Sequence, residues 1–381
     1  MKFDVLRFDE ISINFDKKRI PLSSMERVKR KGSYRYYGAQ GVIDYIDDYI
    51  FDGEYLLIAE DGENLKSKKQ NIAQLVNGQF WVNNHAHIIQ TNERCDLRFL
   101  YYLINSMDLS GYITGSAQPK LSQANLNALE LKIPERSTQD KIVSIIGSLD
   151  DKIAINNRIN ENLLQQAVAI YKAWFCDHAL DAGLTTWPNT TIGDITSLVT
   201  RGITPKYSDD TNQIVINQKC IRNHMIDLSP ARHHLPKAIT EKWLLQGDLL
   251  INSTGEGTLG RVAQVWFIPE NLTVDSHVTI VRSKSIELRN YIGLWGITHE
   301  AEIESLHTGS TGQTELPRER IKAIELPLPD SFTLSKFNEL ISPMTQTIVE
   351  NQQENIRLAE MRDSLLPRLM SGELDVSDLD F

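Results

Sequence analysis

Gly255-Glu-Gly257-Thr-Leu-Gly260 has the spacing of a phosphate-binding glycine turn, with Asp275 twenty residues on. Such a turn must open a helix, whose N-terminus holds the pyrophosphate. Here Arg261-Val-Ala-Gln-Val-Trp-Phe267 follows and alternates like a strand, so the glycines read as a β-turn. Pro134-Glu135 with Asp150-Asp151-Lys152 loosely imitates a nuclease carboxylate–lysine set. Asp150 and Lys152 lie two apart on a predicted helix and point to different faces. His233-His234 has no carboxylate or cysteine partner at metal-ligand spacing, which leaves a surface or base-contacting role. No phosphate-loop lysine motif and no Asn-Pro-Pro-aromatic or Asp-Pro-Pro-aromatic methylase motif occurs. No catalytic residue and no metal ligand is therefore assigned.

Basic residues interleaved with aromatics suit contact with a phosphate backbone and its grooves. In the first half the candidates are Lys17, Lys18, Arg19, Lys29, Arg30, Lys31, Arg35, Tyr36, Lys66, Lys68 and Lys69. Ser116, Gln118 and Lys120 join them on a Thr-Gly-Ser loop, where small polar groups can reach a phosphate or a base edge. In the second half they are Lys206, Lys219, Arg222, Asn223, His224, Arg232 and Arg261, with Ser310 and Gln313 on the matching loop. The net charge of −10 argues against strong non-specific binding. Its distribution matters more: residues 330–381 carry four bases against ten acids, which leaves the remainder near neutral and open to local basic patches.

The elements that position these residues come in two copies. Thr114-Gly-Ser-Ala-Gln-Pro-Lys-Leu121 leads to Ala128-Leu-Glu-Leu-Lys-Ile-Pro134. Thr308-Gly-Ser-Thr-Gly-Gln-Thr-Glu-Leu316 leads to Ala323-Ile-Glu-Leu-Pro-Leu-Pro329. A segment with heptad spacing follows each copy. The first carries Ile142, Ile146, Leu149, Ile153, Asn156, Asn160, Leu163, Ala167, Ile170 and Trp174. The second carries Phe337, Ile341, Met344, Ile348, Asn351, Asn355, Leu358, Arg362, Leu365 and Leu369. Asn156 and Asn160 recur as Asn351 and Asn355. A polar residue in an apolar seam fixes register and partner, so the two helices are expected to pair with each other. Arg362 breaks the second seam, and Pro343 is expected to kink that helix or start a new segment. Weaker repeats (Gly53-Glu-Tyr-Leu-Leu-Ile with Gly247-Asp-Leu-Leu-Ile, and Val82-Asn-Asn-His85 with Val274-Asp-Ser-His277) fall in strand-like runs separated by Gly, Asn and Asp turns.

The predicted fold is α+β: two β-rich domains, each followed by a long helix, with the helices pairing as an antiparallel coiled coil. The expected boundaries are 1–134 and 179–329 for the domains, 135–178 and 330–372 for the helices, and 373–381 for an acidic tail. The length of 381 residues suits two domains. No apolar run is long enough for a membrane span, and the first residues do not read as a secretory signal. Three scattered cysteines suit a reducing cytoplasm.

This plan resembles the specificity subunits of type I restriction–modification enzymes along essentially the whole chain. The resemblance rests on the duplicated layout, on Thr114-Gly-Ser-Ala-Gln-Pro-Lys-Leu-Ser122, on Gly247-Asp-Leu-Leu-Ile251 leading to Gly260-Arg-Val, and on the ending Leu365-Leu-Pro-Arg-Leu-Met-Ser-Gly-Glu-Leu374. It implies two target-recognition domains, each reading half of a split double-stranded DNA site. It implies a helix pair that spaces them and docks two methylation subunits, with restriction subunits joining. S-adenosylmethionine, ATP and Mg would then sit on those partners and none in this chain. A helix of ~38 residues at ~1.5 Å per residue is ~57 Å long, about 17 base pairs of duplex. The alternatives are a specificity-like subunit of another methylation or phage-exclusion assembly, a catalytic DNA enzyme, and a coiled-coil scaffold without a DNA role.

Overall fold

The computed structural model describes residues 1–115, 118–176, 187–237, 239–309 and 314–379. The chain divides into two compact units: residues 1–154 with 355–381, and residues 155–354. Each long helix is thus shared between the units.

In the first unit the apolar run Tyr55–Ala59 is buried at every position and forms an inner strand. It lies between Ala86–Thr91 and Ala73–Val76, with Ser12–Asn14 beyond Ala86–Thr91. A second sheet orders Gly41–Ile46, Lys31–Gly38, Gln79–Val82 and Phe51–Asp52; its inner pair is parallel. A short ladder joins Phe3–Arg7 to Glu130–Pro134. Asp96 caps the helix Leu97–Ser106 through the Phe99 amide, and its Phe99, Leu100 and Leu103 enter a core with Leu56, Ile58, Ile142 and Ile146.

The second unit repeats this design. Leu249–Asn252, again wholly buried, lies between Val278–Ser283 and Val262–Gln264, with Thr196–Arg201 outermost. A second sheet orders Arg232–His233, Ile214–Ile216 and Leu272–Val274, the last two again parallel. Asn189–Thr191 pairs with Glu325–Pro327. Single bonds repeat as well. Phe8 N donates to Leu129 O as Ile192 N does to Ile324 O, both at 2.9 Å. Leu121 N donates to Glu60 O at 2.8 Å, and Leu316 N to Ser253 O at 2.9 Å.

The first long helix spans Arg136–Tyr171 and continues as a π-helical turn, Lys172–Cys176. The second spans Ser331–Ser371. They run antiparallel: within the first unit Arg362 meets Asp150 at 2.9 Å, and within the second Asn351 Nδ2 donates to Asn160 Oδ1 at 2.8 Å. Asn156 and Asn160 are both buried, and Asn156 Nδ2 donates to Glu354 at 2.7 Å. Late in the first helix Ala167 of the seam stays buried, but beside it the buried positions are Leu164, Tyr171 and Phe175, while Leu163, Ile170 and Trp174 are only partly buried. A straight helix has 3.6 residues per turn and drifts off a seven-residue repeat, which moves the buried stripe one residue on.

No new segment starts at Pro343: the second helix runs through it. Pro343 and Glu339 lie on its exposed face, where solvent can hydrate the carbonyl that proline leaves unbonded. The Gly255–Gly260 run joins two antiparallel strands, with positive φ at all three glycines, so the β-turn reading holds. The C-terminal acidic segment packs partly inward: Val376 is buried among the first unit's apolar residues, and Ser377 O accepts from Lys141 at 2.6 Å.

Candidate nucleic-acid interface

The candidate basic residues divide by what already holds them. Arg19 is tied into the first unit, bonding Ala86 O at 2.9 Å and Glu60 at 2.8 Å. Tyr36 is fully buried with its hydroxyl on Leu22 N at 2.9 Å, so it cannot read a groove. Side chains alternate between the two faces of its strand, and both faces are covered here, since Tyr37 is buried as well. Arg30 pairs with Asp47 at 2.9 Å and lies over Trp81, and Lys31 pairs with Asp44 at 2.5 Å. Arg35 donates to Asn77 O at 2.6 Å. Lys66 donates to Gly115 O at 3.2 Å and Lys68 to Met107 O at 3.0 Å. Lys18 lies over Phe15.

Lys17, Lys29, Lys69, Lys206, Lys219 and Arg222 are exposed, and their side chains bond to no other described residue. Gln118 is exposed, and Lys120 bridges to Glu60 at 3.2 Å. Asn223 and His224 form the tip of the hairpin Ile221–Arg222/Met225–Ile226, with φ of 52° and 59°, the left-handed pair that a two-residue turn needs. Arg261 donates to Gly257 O at 2.7 Å and braces the glycine turn. Arg232 stacks on Tyr207, its Cζ 3.4 Å from the ring centroid. Ser116, Ser310 and Gln313 lie outside the described residues.

The Thr-Gly loops are pinned alike in both units. Thr114 bridges Lys120, which bridges Asp61; Thr308 bridges Glu315, which bridges Thr254. Beside each stands a histidine. His85 Nδ1 lies 2.7 Å from Asp61, and His277 Nδ1 lies 2.6 Å from Thr254 Oγ1. Each histidine's amide also donates to an Asx side chain two residues back, Asn83 or Asp275. The sequence repeat Val82–His85 with Val274–His277 carried that signal.

Asp16, Glu60 and His87 are the only described trio of metal-ligating side chains with their ligand atoms within 4.8 Å. Their bonds point to structure. His87 Nδ1 lies 2.6 Å from Asp16 and Nε2 lies 2.8 Å from Leu121 O, so both ring nitrogens are engaged. Glu60 already faces Arg19 and Lys120, so a metal ion would have to displace two cations. Burial works against ionisation of Asp16, but the His87 hydrogen bond and charge, with the Ile88 amide, hold its carboxyl below the usual range. Glu60 is lowered likewise, with Arg19 foremost among the groups that offset its burial. In the second unit Ser253 and Thr279 take the corresponding places and bond each other at 2.5 Å.

Asp150 and Asp151 are occupied. Asp150 accepts from Tyr102 at 2.6 Å and from Arg362, and Asp151 accepts from Arg98 at 2.7 Å. These bonds fasten the long helices to the first unit and explain why Arg362 interrupts the seam.

The family described as the type I restriction modification DNA specificity domain matches twice, at residues 2–165 and 185–358. The MjaIX specificity subunit of Methanocaldococcus jannaschii is 26% identical over 74% of this chain and 70% of its own length. The HindI specificity subunit of Haemophilus influenzae is 23% identical over 88% and 87%. Another chain from Haemophilus influenzae is 36% identical over 37% of this chain, and the match spans 36% of that relative's length. Among solved structures, the S subunit of a type I restriction–modification system from M. genitalium covers 97% of this chain and 96% of its own, with a TM-score of 0.59 at 14% identity. That likeness agrees with the α+β design built twice here. The chain belongs to the type I restriction–modification DNA specificity family.

Proposed function

We propose that this chain reads a split double-stranded DNA target, one half-site per unit, for a type I restriction–modification complex. The observation that carries the reading is one two-sheet frame built twice with different exposed side chains on it. Two copies of a frame suit two stretches of one duplex, and different exposed residues suit different bases. The uncommitted cations Lys17, Lys29, Lys69, Lys206, Lys219 and Arg222 would contact phosphates.

The helix pair would dock two methylation subunits, with restriction subunits joining them. The chain itself would be non-catalytic: Asp150 and Asp151 are bonded within the fold and the glycine run turns between strands. S-adenosylmethionine, ATP and Mg would belong to the partners. No described helix is long and apolar enough to cross a membrane, and the proposed place of work is the cytoplasm, beside the DNA.

The test is a genome-wide map of N6-methyladenine in cells that carry the partner subunits, with and without this gene. Methylation at one split motif should vanish with the gene and return with it. Unchanged methylation at every split motif would refute the proposal.

A further inference from the structure

The second sheets can be aligned through their parallel strand pairs. In the first unit Arg35 and Tyr36 stand opposite Phe80 and Trp81 on one side, and opposite Tyr45 and Asp44 on the other. In the second unit Ile214 and Val215 stand opposite Leu272 and Thr273, and opposite His233 and Arg232. Arg232 therefore occupies the place of Asp44, and His233 that of Tyr45. The two edge strands differ in chemistry at these positions, and the second exposes both of its residues. In the first, Tyr45 is 52% exposed and Asp44 is held by Arg27 and Lys31. In the second, Arg232 and His233 are both exposed.

In a duplicated reader, the shared parts serve what both half-sites share, which is the phosphate backbone and the groove. Exposed positions that differ on a shared frame serve what the half-sites do not share, which is base sequence. The edge strand is such a place, and at Arg232 its chemistry is specific. The guanidinium stands over the Tyr207 ring, its Cζ 3.4 Å from the centroid, and forms no ion pair with a described residue. Stacking fixes the plane of the fork before binding, so less side-chain entropy is lost on contact. A fixed, exposed guanidinium fork matches the O6 and N7 acceptors of guanine in the major groove. Beside it, His233 Nδ1 contacts Thr211 O at 2.7 Å, which orients the ring.

We infer that Arg232 reads a guanine in the half-site of the second unit, with Tyr207 as its positioning residue. The inference rests on the proposed role of the chain as the DNA reader.

The test uses the full chain in complex with its methylation subunits, acting on a randomised DNA library whose methylated sequences are then read. Arg232→Ala should relax one guanine position of one half-site by about 10- to 100-fold in discrimination, with the other half-site unchanged. Arg232→Lys keeps the charge without the fork and should relax the same position. Tyr207→Ala should keep guanine as the preferred base but lower its discrimination. Should Arg232→Ala abolish all methylation, the lysine variant decides.

A motif as sharp as wild type at every position in the lysine variant overturns the inference. So does a uniform loss across all sequences, which would mark a phosphate contact. Absence of any split motif with the wild-type complex would instead sink the DNA-reader proposal itself.

Discussion

Asp16 and His87 show what one residue type at one place does. They form a buried ion pair in the first unit, and in the second unit Thr279 stands in the place of His87. Asp16→Ala would leave His87 and the Ile88 amide without their acceptor, at a cost of about 3–5 kcal/mol. The pH dependence has a definite sign. The lowered Asp16 and Glu60 carboxyls contribute stability that is complete above their usual values of 3.8 and 4.5. That stability is lost as pH falls through their lower folded values. Protection of the Ile88 amide, taken relative to its intrinsic exchange rate at each pH, should therefore fall below about pH 4 in the wild type, and should lose most of that dependence in Asp16→Ala. Burial also pushes the Cys95 thiol up to about 12 and the Cys220 thiol to about 11. Both should resist iodoacetamide at pH 8 in the folded chain and react only on unfolding; alkylation of native protein at either one would contradict the burial described.

The helix pair is the element whose logic was most legible before any coordinates. Heptad spacing located both helices, and the repeated asparagines marked the seam. Asn351→Leu alone should cost about 1–3 kcal/mol, because Asn160 loses its donor. Adding Asn160→Leu should recover that loss and raise the stability of the pair while loosening its register. Urea unfolding of the two single variants and the double tests this, and additive losses would contradict the pairing. Arg362→Ala should cost about 1 kcal/mol, since its pair with Asp150 is partly exposed.

Other features were not legible, for physical reasons. The shift to Leu164, Tyr171 and Phe175 comes from helix drift, which a fixed repeat conceals. Tyr36 and Arg19 looked like DNA contacts because charge and aromaticity are visible in a sequence, whereas burial against Leu22 or Glu60 depends on distant strands. The stack of Arg232 on Tyr207 joins residues 25 apart on different segments, and no local pattern announces it.

For the whole molecule, duplication is the organising fact. Each unit has its own sheets and core, and each holds its own candidate reading strand, so each half of the target should be separable. The measurement that tests this most directly replaces residues 179–329 with the corresponding domain of another family member. The swapped chain is assembled with the methylation subunits, and the methylated DNA motif is mapped. The account predicts that one half-site changes to the donor's sequence while the other half-site stays as it was. A change in both half-sites, or in neither, would contradict the assignment of one half-site to each unit.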